Sequence, residues 1–130
     1  MSAAQKIVEA HYAASAHGDL AGMVAPFDDA ISWTEMAGFP YAGTYHGPTQ
    51  IREQVFERLG GEWDDYQAVP DRYVDGGDGT VVAIGHYTGT YRATGRRLHV
   101  RFVHLWQLTD DKVVTFEQFT DTELVRRAMS

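Results

Sequence analysis

Cysteine is absent from this 130-residue chain, which excludes disulfides, thiolate-ligated zinc and thiol nucleophiles together. Positive charge is scarce: 11 Lys and Arg stand against 18 Asp and Glu, a formal net charge of -7. The basic residues are scattered, and the densest group (Arg92, Arg96, Arg97, Arg101) reads as a solvated strand pair and turn. Binding to nucleic acid or to an anionic membrane needs clustered cations, so neither partner is expected. No apolar run approaches the length of a membrane span, and the opening residues lack a signal-peptide core. A cytoplasmic location is the expectation. Internal repeats, low-complexity segments, a Gly-rich phosphate loop, a G-x-S-x-G elbow, an HxH pair and an HExxH helix are all missing, and neither a metal nor a cofactor is expected.

What remains is a chain with 44% hydrophobic and 22% charged residues, enough for one globular domain over residues 1–130. Its first half reads as helical. Ser2 can cap a helix whose Ala4, Ile7, Val8, His11, Tyr12 and Ser15 recur at helical spacing until Gly18. Asp19 can cap a short second helix over Leu20 to Val24, and a strand follows at Ala30 to Met36. A loop containing Gly38, Pro40 and Gly43 leads to a third helix starting near Pro48, with Ile51, Val55, Phe56 and Leu59 as its apolar stripe.

After Gly60 the pattern changes to period two. Tyr66 to Val74, Thr80 to Tyr91, Leu98 to Leu108 and Val113 to Asp121 read as strands, and Thr122 to Met129 as a closing helical turn. The expected architecture is α+β: a cone-shaped roll in which a strongly bent, mostly antiparallel sheet carries about three N-terminal helices across its concave face and encloses a pocket. The third of these strands is unusual. Alternation puts Val100, Phe102, His104, Trp106 and Leu108 on one side, so one titratable ring sits in an otherwise apolar row. It is either a core histidine with satisfied hydrogen bonds or the working residue of an apolar pocket.

The order of elements resembles the nuclear transport factor 2-like superfamily, and within it the SnoaL-like polyketide-cyclase and ketosteroid-isomerase-related branch. The likeness is carried by His17-Gly18-Asp19-Leu20, Asp28-Asp29-Ala30-Ile31-Ser32-Trp33, Tyr41-Ala42-Gly43-Thr44-Tyr45-His46-Gly47, Gly89-Thr90, Thr94-Gly95, Phe102-Val103-His104-Leu105-Trp106 and Phe119-Thr120-Asp121-Thr122. Ketosteroid isomerases use a carboxylate base on the first strand, with a tyrosine and a neutral carboxylic acid as oxyanion donors. On that resemblance the base position falls on Thr34, with Glu35 one residue further and turned inward only by a bulge near Met36-Ala37-Gly38. The neutral-acid position falls on His104, and the tyrosine position on His11 or Tyr12. SnoaL-like cyclases pair a histidine of this sheet with an aspartate; His104 resembles that histidine, with Gln118 at the partner position.

The resemblance implies His104, Glu35 and Tyr12 as catalytic candidates. Strand parity adds a pocket wall of Trp33 or Thr34, Phe102, Trp106, Phe116, Gln118 and one of His11 and Tyr12, with His86 as a possible cross-strand neighbour of His104. The aromatic residues serve equally well as plain core. Three function classes remain open: a cofactor-independent enzyme doing isomerase, cyclase or hydrolase-type proton transfer on a small apolar, polyketide- or steroid-like molecule, a non-catalytic binder of such a molecule, and an association module. For the last, Tyr87, Tyr91, Val103, Leu105 and Phe119 are expected on the outer sheet face, where they would form a homodimer.

Overall fold

A computed structural model describes residues 2–130. Helix α1 (Ala3–Ala16) is capped by Ser2, whose hydroxyl accepts the Gln5 N–H, and α2 (Leu20–Val24) by Asp19, which accepts the Gly22 N–H. Strand β1 (Phe27–Glu35) follows, then a short edge strand β2 (Gly43–His46) where the sequence read as loop. The third helix begins at Pro48 as α3 (Pro48–Ile51), widens into one π turn over Arg52–Phe56 and continues as α4 (Glu57–Glu62). Strands β3 (Trp63–Gly77), β4 (Thr80–Tyr91), β5 (Arg97–Thr109) and β6 (Lys112–Thr120) form a meander, closed by α5 (Thr122–Ala128).

The six strands form one sheet in the order β2-β1-β6-β5-β4-β3. Every pairing is antiparallel except β1 with β6, which brings the first long strand beside the last. Register shifts interrupt β3 against β4 at three places, and each adds bend to the sheet. Helix α1 packs against β3 and β4 and against α2, which places the N-terminal helices across the sheet. The fold is therefore α+β, a bent and mostly antiparallel sheet with helices on one face. No helix among the described residues is long and apolar enough to cross a membrane.

The inner face of β4 is not the one that hydrophobic weight indicates. Val81, Ala83, Gly85, Tyr87 and Gly89 are buried, while Val82, Ile84, His86 and Thr88 face outward and are only half-buried. The reason is steric. A Cβ on Gly85 would stand 2.1 Å from the Val69 carbonyl oxygen of β3 and 2.7 Å from Cζ of Phe102. Only glycine lets the neighbouring strand and that ring close over the inner side here.

Candidate functional site

A cavity of about 600 Å³ lies between the concave face of the sheet and the helices α2 and α4 with the intervening π turn. Leu20, Met23, Val55, Phe56 and Leu59 close it from the helical side. From the sheet come Trp33 and Glu35 of β1, Trp63, Tyr66 and Ala68 of β3, Tyr87 of β4, His104 of β5 and Phe116 of β6. The rim holds one guanidinium, Arg92. It is fully engaged in structure: Nε meets Asp64 at 2.9 Å, and its other nitrogens donate to the carbonyls of Gly60, Gly61 and Trp63. No free cation therefore waits inside for an anionic ligand.

Glu35 is the buried acid of the cavity, whereas Glu57, Asp64 and Asp65 line its rim and are exposed. It ends β1 in the same parity as Ile31 and Trp33, and is 4% exposed. Thr34 points the other way and its hydroxyl meets that of Thr44 at 3.0 Å on β2. The expectation that Glu35 faces outward, needing a bulge near Gly38 to turn it in, is thus corrected. Burial of Trp33 sets the parity, Glu35 follows it two residues later, and the irregularity of β1 lies upstream, between Phe27 and Ser32. Thr34 is excluded from the pocket by the same alternation. Burial lifts the Glu35 pKa from 4.5 to about 8. The Trp33 indole N–H opposes that rise in part, but it stays short of hydrogen-bond geometry and is otherwise unpartnered.

His104 is held from both sides. Its Nδ1 lies 2.5 Å from the Tyr12 hydroxyl and its Nε2 2.6 Å from the Tyr87 hydroxyl. Trp106 Nε1 donates to the Tyr12 oxygen at 3.0 Å, and Gln118 Nε2 donates to the Tyr87 oxygen at 2.9 Å. The far end of the Gln118 amide accepts the Met36 N–H at 3.3 Å. The ring is stacked on Phe102 at 3.8 Å, and burial pushes its pKa well below 6.5, with nearby His11 adding to the fall. Neither nitrogen is left for a ligand.

His11 is occupied too. Its Nδ1 meets the Met23 carbonyl at 2.9 Å, tying α1 to α2, and burial lowers its pKa to about 4 despite that bond. Its ring lies against Trp106 and Phe27. Of the residues singled out in the sequence, the cavity wall therefore takes Trp33, Glu35, His104 and Phe116. His11, Tyr12, Phe102, Trp106 and Gln118 form the layer behind it, where all five are buried.

His86 lies on the outer face opposite Arg101, bonded to Asp71 at 3.0 Å, and is no neighbour of His104. Tyr87 was expected outside and is inside, for the Gly85 reason given above. Tyr91 packs on the buried Trp63 rather than standing free. Among the described residues no group of three or more His, Cys, Asp or Glu side chains is placed to hold a metal ion.

Tyr66 and Tyr87 are the polar wall residues of the sheet that the sequence reading missed, and Leu20, Met23, Val55, Phe56, Leu59, Trp63 and Ala68 are apolar ones it did not assign to the pocket. Burial raises both phenol pKa values well above 10, and the Glu35 carboxylate raises both further, which puts the three groups within electrostatic reach of one another. The β4 glycines at 85 and 89 carried the available signal, since a face built of glycine and alanine leaves room for a partner strand.

Comparison with known proteins agrees with this geometry: residues 8–116 match the model of the SnoaL-like domain. The chain belongs to the SnoaL-like domain family. Among solved structures, this SnoaL-like chain is similar to an NTF2-like protein from Burkholderia thailandensis E264, at 51% identity, TM-score 0.95, with 100% of this chain and 99% of that one covered. It is also similar to an NTF2-like protein of unknown function from Burkholderia pseudomallei K96243, at 26% identity, TM-score 0.91, with 100% and 99% covered. TerC, crystallised with polyporic acid, shares the fold at 23% identity, TM-score 0.88, with 98% of each chain covered. No curated protein matches the SnoaL-like chain.

Proposed function

We propose that the cavity binds a small, largely apolar molecule bearing a carbonyl oxygen, and that Glu35 moves a proton on it in isomerase, cyclase or hydrolase-type chemistry. The observation that carries this reading is a buried carboxyl with pKa about 8 in a largely apolar cavity whose one lining cation, Arg92, is already paired with Asp64. Such a group exchanges protons near neutral pH, where an ordinary glutamate is a poor acid and a weak base. The Glu35 carboxylate takes a proton from the carbon beside the carbonyl. That C–H pair becomes the C=C of an enolate, and the carbonyl oxygen takes the charge. Protonated Glu35 returns the proton to the same carbon, which exchanges it, or to the far carbon of a conjugated C=C where the ligand has one, which isomerises it. The Trp33 N–H, held beside the carboxyl without another partner, favours its ionised form during this cycle.

His104 is a positioning residue in this scheme, because both its nitrogens are bonded to tyrosines. A second reading, a non-catalytic binder, draws on the same pKa: at pH 7 the carboxyl is mostly protonated and serves as a hydrogen-bond donor. TerC, of the same fold, carries polyporic acid in its crystals, which supports a small-molecule role without naming this ligand. A homodimer through the outer sheet face and a cytoplasmic location belong to this reading, and exposed Phe119 beside Val103 supports the first.

The test is exchange of the α-protons of a panel of cyclic ketones with deuterated solvent, followed by NMR. The wild type accelerates exchange, with a rate that climbs with pH and levels off above about 8 as Glu35 ionises. Glu35→Gln lowers it at least ~100-fold, the scale of general base catalysis. Ketone binding without exchange in the wild type selects the binder reading instead.

A further inference from the structure

The hydrogen-bond chain through His104 holds one proton more than its interior can place, and following that proton identifies a ligand-binding group. Both ends of the chain are fixed. Trp106 Nε1 can only donate, so the Tyr12 oxygen must accept from it. Gln118 Oε1 accepts the Met36 backbone N–H, which turns its NH₂ toward Tyr87, so the Tyr87 oxygen must accept as well. Between these ends lie two hydroxyl hydrogens and, on a neutral ring, one N–H. The ring nitrogens offer one remaining acceptor. One hydroxyl hydrogen must therefore leave the chain.

Two arrangements are available. With the ring proton on Nδ1, that N–H donates to Tyr12, Tyr87 donates to Nε2, and the Tyr12 hydrogen is left over. Tyr12 is buried behind the wall and its hydroxyl meets His104 and Trp106 alone, so its hydrogen is stranded, a defect of about 1–3 kcal/mol. With the ring proton on Nε2, Tyr12 donates to Nδ1, the ring donates to Tyr87, and the hydrogen left over is that of Tyr87, which lines the cavity. A charged ring gives no escape, since it strands the Tyr12 hydrogen too. It would also have to be charged among Phe102, Phe116, Tyr12, Tyr87 and the neighbouring His11, with no facing carboxylate.

We infer that His104 is fixed as the Nε2–H tautomer, and that Tyr87 thereby directs its O–H into the cavity as the donor for a ligand carbonyl or enolate oxygen. The Tyr87 oxygen receives two N–H bonds, from His104 and Gln118, and this polarises its own O–H toward donation. The donor role rests on the carbonyl-binding reading above; the tautomer does not.

The tautomer is read first, with no ligand, from long-range ¹H–¹⁵N correlations of histidine-labelled protein at pH 7.5. The expected pattern is protonated Nε2 and bare Nδ1 for His104, scrambled in Tyr12→Phe. Protonated Nδ1 in the wild type overturns the inference. The donor is then tested with 4-nitrophenolate as an enolate-oxygen probe, by titration and by the shift of its absorption band on binding. Tyr87→Phe weakens the probe roughly tenfold and abolishes the band shift. Gln118→Met, which leaves the Tyr87 hydroxyl in place, weakens it roughly two- to threefold and guards against a misfolded first variant.

Unchanged affinity in Tyr87→Phe, or no binding to the wild type, overturns the donor assignment. Loss of the ketone-exchange result alone, with phenolate binding intact, strikes the proposed reaction and leaves Tyr87 standing.

Discussion

A carboxyl buried without a cation lowers the stability of the fold that contains it, and Glu35 makes this measurable. Its pKa of about 8 in the folded chain against 4.5 unfolded means that the folded state keeps a proton which the unfolded state releases. The contribution of Glu35 to stability therefore falls as pH rises from about 4.5 to 8, a loss on the order of 3 kcal/mol by pH 7. Glu35→Gln is expected to raise the urea midpoint at pH 7 and to flatten this alkaline limb. An unchanged midpoint would show the carboxyl to be solvated.

His11 and His104 act with the opposite sign. Both are held neutral below their unfolded value of 6.5, so the unfolded chain takes up protons first, and stability falls as pH drops from 6.5 toward 4. Together the three groups predict a stability maximum near pH 6.5, with the acid limb retained in Glu35→Gln. Thermal scans across pH 4.5–9 read both limbs at once.

Among the elements, β4 is the most exacting. Gly85 admits the Val69 carbonyl and the Phe102 ring within distances that a methyl group would violate. Gly85→Ala is expected to destabilise by about 1–3 kcal/mol in urea unfolding, as overpacking does. It should also weaken phenolate binding, because Tyr87 lies two residues along the same face.

The same strand marks where sequence reasoning stops. Element order apart from the edge strand β2, the inward His104 row of β5 and the closing helix were legible, because each repeats a period that one buried face imposes. The faces of β4 were not. Val82 and Ile84 outweigh Ala83 and Gly85 in hydrophobicity, and only the bend of the sheet makes the smaller side chains the inner ones. In β1 the alternation was readable from Trp33, and it carries Glu35 inward; a register taken from resemblance placed the acid one residue early. The chain of bonds linking Tyr12, His104, Tyr87 and Gln118 spans four elements, and no local pattern announces it.

For the molecule as a whole, the outer sheet face leaves Val103 37% and Phe119 43% exposed, directly paired across β5 and β6. With half-buried Leu105 and Ile84 beside them, this is the patch expected to meet a second copy. Light scattering at tens of micromolar should return twice the chain mass, and Val103→Glu with Phe119→Glu the single mass with an unchanged circular dichroism spectrum. A monomeric wild type would remove the dimer from the proposal.

The parallel pairing of β1 with β6 has a consequence for how the protein comes into being. Glu35 sits near the start of the chain, and the strand that flanks it is not translated until more than seventy residues later. A ribosome-bound chain lacking β6 holds an unpaired β1 edge and an acid with no wall around it. The joining of β1 to β6 is thus a late, long-range closure, slow by topology. The cavity and the abnormal acidity of Glu35 both need that closure, so the Glu35-dependent pH sensitivity is expected only once β1 and β6 have joined.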